Sequence, residues 1–237
     1  MQEVFNHIGA KVGEIADVVL MCGDPNRATI MAEKFLTDAN LVSSLRGNKV
    51  YTGYFGDRRV TIMASFMGNA SMGIYSYELY DIFGVKCIIR LGTAGSLDKD
   101  MPLGRLFVAT RSITDSNYDL MHEDGKDTTL DASIDLVNLA TDTAKDLDIP
   151  ILQGDMYSTD SFYMSSTLRD KITHTCAKCL EMESGALYRN AAKFGRQALA
   201  ICTVTDNILT GERMPVIDRE NKTQDMFRLA LEMAKKL

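Results

Sequence analysis

The sequence predicts an α/β fold in which helices flank a central mixed, mostly parallel β-sheet, and three observations favour it. Apolar runs of strand length, rich in Val and Ile, are typical of strands buried on both faces of a sheet. Amphipathic stretches of helix length lie between many of these runs, and this alternation is typical of parallel sheets covered by helices. Residues 53–57 have the composition of a hairpin turn, so part of the sheet should be antiparallel.

Each predicted element has a local signal. Apolar runs predict strands at residues 17–22, 60–64, 86–91, 106–109 and 198–204. Amphipathic patterns predict helices at residues 26–36, 71–83, 133–147, 184–194 and 221–236. The first helix follows Asp24 and Pro25, which suit a cap and a first turn, and the last ends in lysines that suit the helix dipole. No repeat or linker divides the chain, so residues 1–237 are expected to form a single domain.

The composition excludes two classes of partner. The formal net charge of the 237 residues is -6 and no dense basic run offsets it, so the surface repels nucleic acid. No stretch approaches the ~20 apolar residues of a membrane span. Residues 1–13 lack the basic and apolar regions of a secretion signal. We therefore expect a cytoplasmic protein that binds neither nucleic acid nor membrane.

The cysteines and histidines predict neither disulfides nor a metal site. The five cysteines, at 22, 87, 176, 179 and 202, lie mostly within apolar runs, as buried free thiols do. Cys176 and Cys179 have redox spacing, but they do not lie between a strand and a helix start, which favours an incidental spacing. The three histidines, at 7, 122 and 174, have no second ligand at metal spacing.

Two segments are candidates for binding an anion. In Gly23-Asp24-Pro25-Asn26-Arg27 a buried strand enters a turn and a helix, which directs free N–H groups beyond the strand end. A capped turn with a solvated Arg27 is equally open for this segment. In the second segment Arg90 ends an apolar strand before Gly92-Thr93-Ala94-Gly95, where an unpaired charge would be costly and an anion would resolve the cost. Pairing of Arg90 with a core carboxylate is the alternative.

Two further segments are candidates for binding a sugar and a base. Glu181 and Glu183 lie on one side of an extended segment, with Met182 opposite, and match neighbouring ribose hydroxyls. An acidic first turn of a helix is the alternative. Near the end of the last predicted strand, Asp206 is a candidate acid, because open α/β sheets bind ligands at strand ends. Arg219 is the first candidate to contact Asp206.

These segments resemble the hexameric bacterial type of purine nucleoside phosphorylase, in the nucleoside phosphorylase family. The likeness runs nearly end to end, through Asn6-His7-Ile8, the turn at 23–27, residues 90–95, Ser161-Phe162-Tyr163, residues 180–183 and residues 201–206. The resemblance implies reversible phosphorolysis of purine (deoxy)ribonucleosides by a pentosyltransferase of purine salvage. It implies no cofactor, since inorganic phosphate is a co-substrate.

The resemblance also implies roles for individual residues. Phosphate would be bound by Gly23, Arg27, Arg90 and Thr93, with Arg46 from a neighbouring subunit. The nucleoside would be bound by Met67, Phe162, Glu181, Met182, Glu183 and Thr205, with His7 of the adjacent subunit at the 5′-hydroxyl. Asp206 would protonate purine N7, assisted by Arg219. The assembly would be a homohexamer, a trimer of dimers.

The chain departs from the commoner family pattern at several positions. Thr93 and Thr205 replace serines, and Asn69-Ala70-Ser71 replaces a more apolar segment that contains proline. Asn207 stands where a histidine is common. These differences bear on substrate preference, and the choice between adenosine, inosine and guanosine stays open.

Three rival functions are open on the same scaffold. A uridine phosphorylase needs an amide and a guanidinium after the Phe-Tyr pair, whereas residues 164–168 follow here and Arg169 is out of step. A nucleosidase that uses water has no reason to keep Arg27, Arg46 and Arg90. The third rival is a non-catalytic nucleoside-binding protein.

Overall fold

Ten strands and seven helices make up the described part of the chain, in a computed structural model that describes residues 7–120, 129–215, 218–219 and 223–237. The strands are β1 (Val18–Cys22), β2 (Thr37–Ser43), β3 (Val50–Phe55), β4 (Arg58–Ala64), β5 (Cys87–Ser96), β6 (Leu106–Thr114), β7 (Thr129–Asp131), β8 (Ile151–Ser158), β9 (Cys179–Glu181) and β10 (Gln197–Asn207). The helices are α1 (Pro25–Phe35), α2 (Asn69–Asp81), α3 (Asn117–Leu120), α4 (Ile134–Asp146), α5 (Ser166–Thr173), α6 (Ser184–Phe194) and α7 (Gln224–Lys236), and a 3-10 turn spans Leu45–Gly47.

The predicted elements are confirmed, and several others were missed. The five predicted strands correspond to β1, β4, β5, β6 and β10, and the five predicted helices to α1, α2, α4, α6 and α7. The predicted start of the last helix at residue 221 lies outside the described residues. The hairpin is confirmed as the turn between β3 and β4. The missed strands are short or carry exposed polar residues, as β2 and β8 do, so they lack a continuous apolar run.

The sheet is mixed, with its parallel strands at the centre. β4, β1, β5 and β10 lie side by side and parallel, and β6, β8 and β9 form a second parallel group. Antiparallel pairs join β10 to β6, β5 to β9, and the hairpin strands β2, β3 and β4. Because β9 returns to β5, the strands β5, β10, β6, β8 and β9 pair in a closed ring. Because β4, β1, β5 and β10 are parallel, their carboxyl ends meet at one edge of the sheet. This is the edge at which α/β proteins bind ligands.

Apolar residues alternate between two core clusters, one on each face of the sheet. In β1, Leu20 belongs to the cluster that contains Met31 of α1 and Phe227 of α7. Its neighbour Met21 belongs to the cluster that contains residues of α2 and α6, including Leu187. This alternation is what a strand covered on both faces requires. No helix among the described residues has both the length and the apolar composition needed to cross a membrane.

One expectation about the backbone was wrong. The strand predicted to end at residue 91 continues through residues 92–95 to Ser96. Residues 92–95 pair with β10, where Thr203 lies opposite Thr93. Glycine has a low intrinsic preference for strands, so the hydrogen bonds to β10 stabilise the extended conformation here. The polar groups of this segment consequently lie along a strand and not on a loop.

Candidate active site

The candidate site is built at the carboxyl edge of the central strands. β1 ends at Cys22, whose carbonyl accepts a hydrogen bond from the Ser65 amide at 2.7 Å, just after β4. β5 and β10 run on past this edge, to Ser96 and Asn207. Segments 23–27, 65–68, 90–95 and 205–206 are therefore brought to the same edge by the parallel register.

The turn after β1 is a capped helix start. The Asp24 carboxylate accepts a hydrogen bond from the Asn26 amide at 2.8 Å, and Pro25 occupies the first helical position. Arg27 Nε lies 3.7 Å from Asp24 Oδ2, a long ion pair that leaves the Arg27 side chain 22% exposed. The capped turn, one of the two alternatives for this segment, is present. Arg27, however, is half-buried at the edge of the sheet and not fully solvated.

Arg90 is buried between two carboxylates. Its guanidinium pairs with the Glu183 carboxylate, and its Nε lies 3.1 Å from Glu181 Oε2. The pairing with core carboxylates, the alternative to an anion, is thus what the structure shows. Burial acts to lower the pKa of Arg90, but the charges of Glu183 and Glu181 raise it above its ordinary value, so the side chain stays cationic. Among the described residues the buried Nε–H has no acceptor in hydrogen-bond geometry.

Glu181 faces inward and caps α6. Its carboxylate accepts hydrogen bonds from the Glu183 and Ser184 amides, each at 2.9 Å, and from the Ser184 hydroxyl at 2.6 Å. These are N–H groups that the start of a helix leaves without partners. Burial raises the pKa of Glu181. Three protein groups thus donate to the Glu181 carboxylate at the start of α6, and its predicted contact with ribose remains a prediction.

Glu183 joins the start of α6 to the segment that follows β4. One of its oxygens accepts the Gly68 amide at 2.7 Å, while the other contacts Arg90. Burial acts to raise the pKa of Glu183, but the Arg90 charge and the Gly68 hydrogen bond together lower it, so the group is a carboxylate. Glu181 and Glu183 reach the same guanidinium, as their spacing predicts.

Three of the predicted nucleoside residues are less buried than the glutamates. Met67 is 79% exposed and Phe162 is 71% exposed, while Met182 is half-buried. Phe162 packs edge-on against Tyr163 with ring centroids 5.1 Å apart. Phe66, just before Met67, has a left-handed φ of 56°, a conformation that costs a non-glycine residue energy and often occurs at binding sites.

Asp206 and Arg219 are in contact, as predicted. Arg219 Nη2 donates to Asp206 Oδ1 at 3.0 Å, and the Thr205 hydroxyl donates to Asp206 Oδ2 at 2.9 Å. The ladder between β10 and β5 shifts register between Val204 and Asp206, which leaves Asp206 opposite Gly95. Such a bulge re-aims a side chain at the end of a strand.

His7 and Arg46 lie on segments outside this cluster. His7 Nδ1 is 2.5 Å from Glu78 Oε1, on α2 of the same chain. Arg46 lies on the exposed turn Leu45–Gly47, with a left-handed φ of 58°. Their predicted roles in a neighbouring subunit's site remain predictions.

Sequence reasoning missed the role of Asn69, which it noted only as a departure from the family pattern. The buried Asn69 amide accepts from the Ala186 N–H at 2.9 Å and donates to Asp160 at 3.1 Å, tying the start of α2 to the start of α6. Gly68 and Asn69 also line a cavity of about 380 Å³ with Tyr118 and Asp160. The signal was a polar residue at a helix start, which predicts a cap but not its partners.

The fold and this edge of the sheet define a class of protein. A sequence model of the Phosphorylase superfamily matches residues 17–237, and the chain belongs to this family.

Its curated relatives specify the branch of the family. The DeoD-type purine nucleoside phosphorylase of Xenorhabdus nematophila is 40% identical over 227 residues, which cover 95% of each chain. That of Geobacillus stearothermophilus is 38% identical over 228 residues, covering 96% of this chain and 97% of the relative. The crystal structure of purine nucleoside phosphorylase from Toxoplasma gondii with immucillin-H superposes with a TM-score of 0.90, covering 100% of this chain and 96% of that one. Its sequence identity is 20%, so it shows the fold. The resemblance to purine nucleoside phosphorylases stated from the sequence is confirmed, and the hexameric assembly stays a prediction.

Proposed function

We propose that the chain is a purine nucleoside phosphorylase, a pentosyltransferase that cleaves purine nucleosides with inorganic phosphate. The observation that carries the proposal is the buried Arg90, held between Glu181 and Glu183 at the edge where Asp206 and Arg219 also meet. The names and near-complete coverage of the curated relatives support the same reaction. In this proposal residues 1–237 form one domain, and the reaction needs no cofactor.

In the proposed reaction, phosphate and a proton act on opposite ends of the breaking bond. A phosphate oxygen bonds to C1′ as the bond from C1′ to the base nitrogen breaks, giving ribose 1-phosphate and a free purine. Positive charge grows on the sugar, and phosphate held by Arg27, Arg90 and Thr93 stabilises it. Negative charge grows on the base, and a proton from Asp206 to N7 neutralises it. Arg219, 3.0 Å from Asp206, then stabilises the carboxylate that is left.

In this proposal Arg90 attracts the phosphate as a buried cation that Glu181 and Glu183 hold in place, with its Nε 3.1 Å from Glu181 Oε2. Glu183 then holds the ribose hydroxyls, with Met67 and Met182 lining the sugar pocket.

The proposed assembly is a cytoplasmic homohexamer in which His7 and Arg46 complete the site of a neighbouring subunit. In support, His7 contacts Glu78 on α2 and Arg46 lies on an exposed turn, whereas Arg90 pairs with Glu181 and Glu183. The exposed apolar side chains of Met67 and Phe162 are typical of a site that a second subunit covers.

Product analysis tests the proposed reaction. Inosine is incubated with the protein at increasing phosphate concentration, and hypoxanthine, ribose and ribose 1-phosphate are quantified. We expect ribose 1-phosphate in equal amount to hypoxanthine, with a rate that depends on phosphate. Free ribose at a rate independent of phosphate would indicate a nucleosidase, and binding of inosine without either product would indicate a non-catalytic protein. Cleavage of uridine in preference to inosine would indicate the pyrimidine branch.

A further inference from the structure

We propose that Asn207 is a positioning residue for the acid: its buried amide fixes the loop that holds Arg219 against Asp206. The inference rests on the proposed function, in which Asp206 donates the proton. Asn207 is the position at which the family pattern commonly has a histidine, and no step of the proposed reaction uses it.

All the hydrogen-bonding capacity of the Asn207 amide is used inside the protein. Nδ2 donates to the carbonyls of Asp98 and Lys99 at 3.0 and 3.4 Å. Oδ1 accepts the amides of Leu209 and Thr210 at 3.0 and 3.1 Å. An amide offers two donors and two acceptor positions, and the residue is 3% exposed, so no atom is left to contact a purine. Asn207 therefore acts on the backbone and not on the base.

The backbone that Asn207 holds turns back along the end of β10. The Asn207 N–H donates to the Glu212 carbonyl at 2.8 Å, and its own carbonyl accepts the Gly211 amide at 2.9 Å. Asp206 and Arg213 then pair as an isolated bridge, and the Met214 amide donates to the Thr205 carbonyl at 2.8 Å. Residues 207–214 are thus closed into a short loop whose two ends flank the acid.

The returning end of this loop sets the position of Arg219. The Met214 carbonyl accepts a hydrogen bond from Arg219 Nε at 3.2 Å, and Arg219 Nη2 reaches Asp206 Oδ1 at 3.0 Å. The guanidinium is held by a backbone carbonyl on one side and by the acid on the other. The Met214 carbonyl belongs to the loop of residues 207–214, so its position depends on how firmly that loop is held. Loss of the Asn207 side-chain hydrogen bonds would therefore shift the carbonyl that orients Arg219.

A double-mutant cycle tests this coupling. The variants Asn207→Ala, Arg219→Ala and the double variant are assayed for phosphorolysis of inosine at saturating phosphate. We expect Asn207→Ala to lower kcat about tenfold. The loss corresponds to weakening the hydrogen bond that the charged Arg219 donates to the Met214 carbonyl. The substitution should leave the KM for phosphate within about twofold, since the loop does not contact the phosphate residues. In the Arg219→Ala background the same substitution should change kcat by less than about twofold.

Independent losses from Asn207→Ala and Arg219→Ala that multiply in the double variant would overturn the proposal. The matched control is Asn190→Ala, which removes another fully buried amide, bonded to Gly73 and Ser76 on α2. It should lower thermal stability without coupling to Arg219→Ala. Should Asn207→Ala fail to fold, Asn207→Asp retains the Oδ acceptor and loses the donor to Asp98 and Lys99, and the same cycle applies.

A second measurement separates failure of this inference from failure of the proposed function. Hydrogen exchange of the 208–214 amides needs no catalysis. We expect faster exchange of the Met214 amide in Asn207→Ala and an unchanged rate in Asn190→Ala. A wild-type protein without phosphorolysis, together with this exchange result, would refute the proposed reaction and retain the loop-fixing role. Unchanged exchange at Met214 in Asn207→Ala would refute the role of Asn207 whatever the activity.

Discussion

The guanidinium of Arg90 occupies the space that a side chain at residue 92 would need. A Cβ placed on Gly92 would lie 1.6 Å from Arg90 Nη1 and 2.6 Å from its Cζ. Both residues are in β5, so the guanidinium packs directly on the backbone of its own strand at Gly92. The absence of a side chain at Gly92 thus makes room for the guanidinium of Arg90.

Gly92→Ala should therefore disrupt the Arg90 cluster. Neither the strand nor the guanidinium has room to shift, since Arg90 is 3% exposed and paired with two carboxylates. Breaking a buried ion pair costs about 3–5 kcal/mol, so we expect a loss of this size in urea unfolding and a loss of phosphate saturation in the assay.

The matched control for that substitution is Gly84→Ala. Gly84 has a positive φ of 67° but nothing within 4 Å of a Cβ, so it carries only a conformational cost of about 1–2 kcal/mol. Equal effects of the two substitutions on stability and on phosphate use would contradict the steric argument.

The sequence predicted local features of the site well and tertiary ones poorly. The cap by Asp24 and Pro25 was predictable because a helix start depends on a few adjacent residues. The partner of Arg90 was not, because an anion and a core carboxylate satisfy a buried cation equally well until the fold brings β9 to β5. The same holds for the strand through Gly92, whose ladder is supplied by β10.

Substitution of the two glutamates should separate ribose binding from positioning. Glu183→Gln removes a charged acceptor that we assign to ribose and one of the two carboxylates paired with Arg90. We expect kcat/KM for inosine to fall about 10- to 100-fold, the equivalent of a hydrogen bond to a charged group, and the free energy of unfolding to fall as well. Glu181→Gln places an NH₂ against the N–H groups at the start of α6, and should lower the free energy of unfolding by about 1–3 kcal/mol. Steady-state kinetics and urea unfolding of both variants measure the effects on kcat/KM and on the free energy of unfolding separately. A larger kinetic than stability effect for Glu181→Gln would restore that residue to the ribose site.

Asp206→Asn should affect turnover far more than phosphate binding. The amide retains an oxygen for Arg219 but has no acidic proton for N7, so we expect kcat to fall about 10²–10⁴-fold with an unchanged KM for phosphate. Asp98→Asn, in the turn bonded to Asn207 but paired with Lys178, is the control and should retain kcat. Wild-type turnover on inosine by Asp206→Asn would remove the acid from the mechanism.

The thiols should differ in reactivity according to burial and charge. Burial raises the pKa values of Cys22, Cys87 and Cys202 to about 12, so these groups remain unreactive thiols at neutral pH. Cys176 is exposed, but its hydrogen bond to the Asp155 carboxylate raises its pKa and holds back the thiolate.

Mass mapping after iodoacetamide treatment should accordingly find Cys176 alkylated first, with a rate that rises with pH. Asp155→Asn should increase that rate at pH 7, because removal of the carboxylate lowers the thiol pKa and leaves Arg111 beside the sulfur. Asp146→Asn, which breaks an ion pair with Lys236 instead, should leave the rate unchanged. A slower reaction in Asp155→Asn would contradict the assigned sign.

Mixing two inactive variants tests whether sites are shared between subunits. Arg46→Ala removes a residue that we assign to the neighbour's site, and Asp206→Asn removes one from the subunit's own site. In a randomly mixed dimer pair, one site of each heterodimer has both residues intact and the other has neither, so about a quarter of wild-type activity should return. The two variants are unfolded together, refolded and assayed against each variant refolded alone. Activity that stays at the level of the separate variants, in protein whose mixed assembly is verified by mass spectrometry, would place Arg46 outside any shared site.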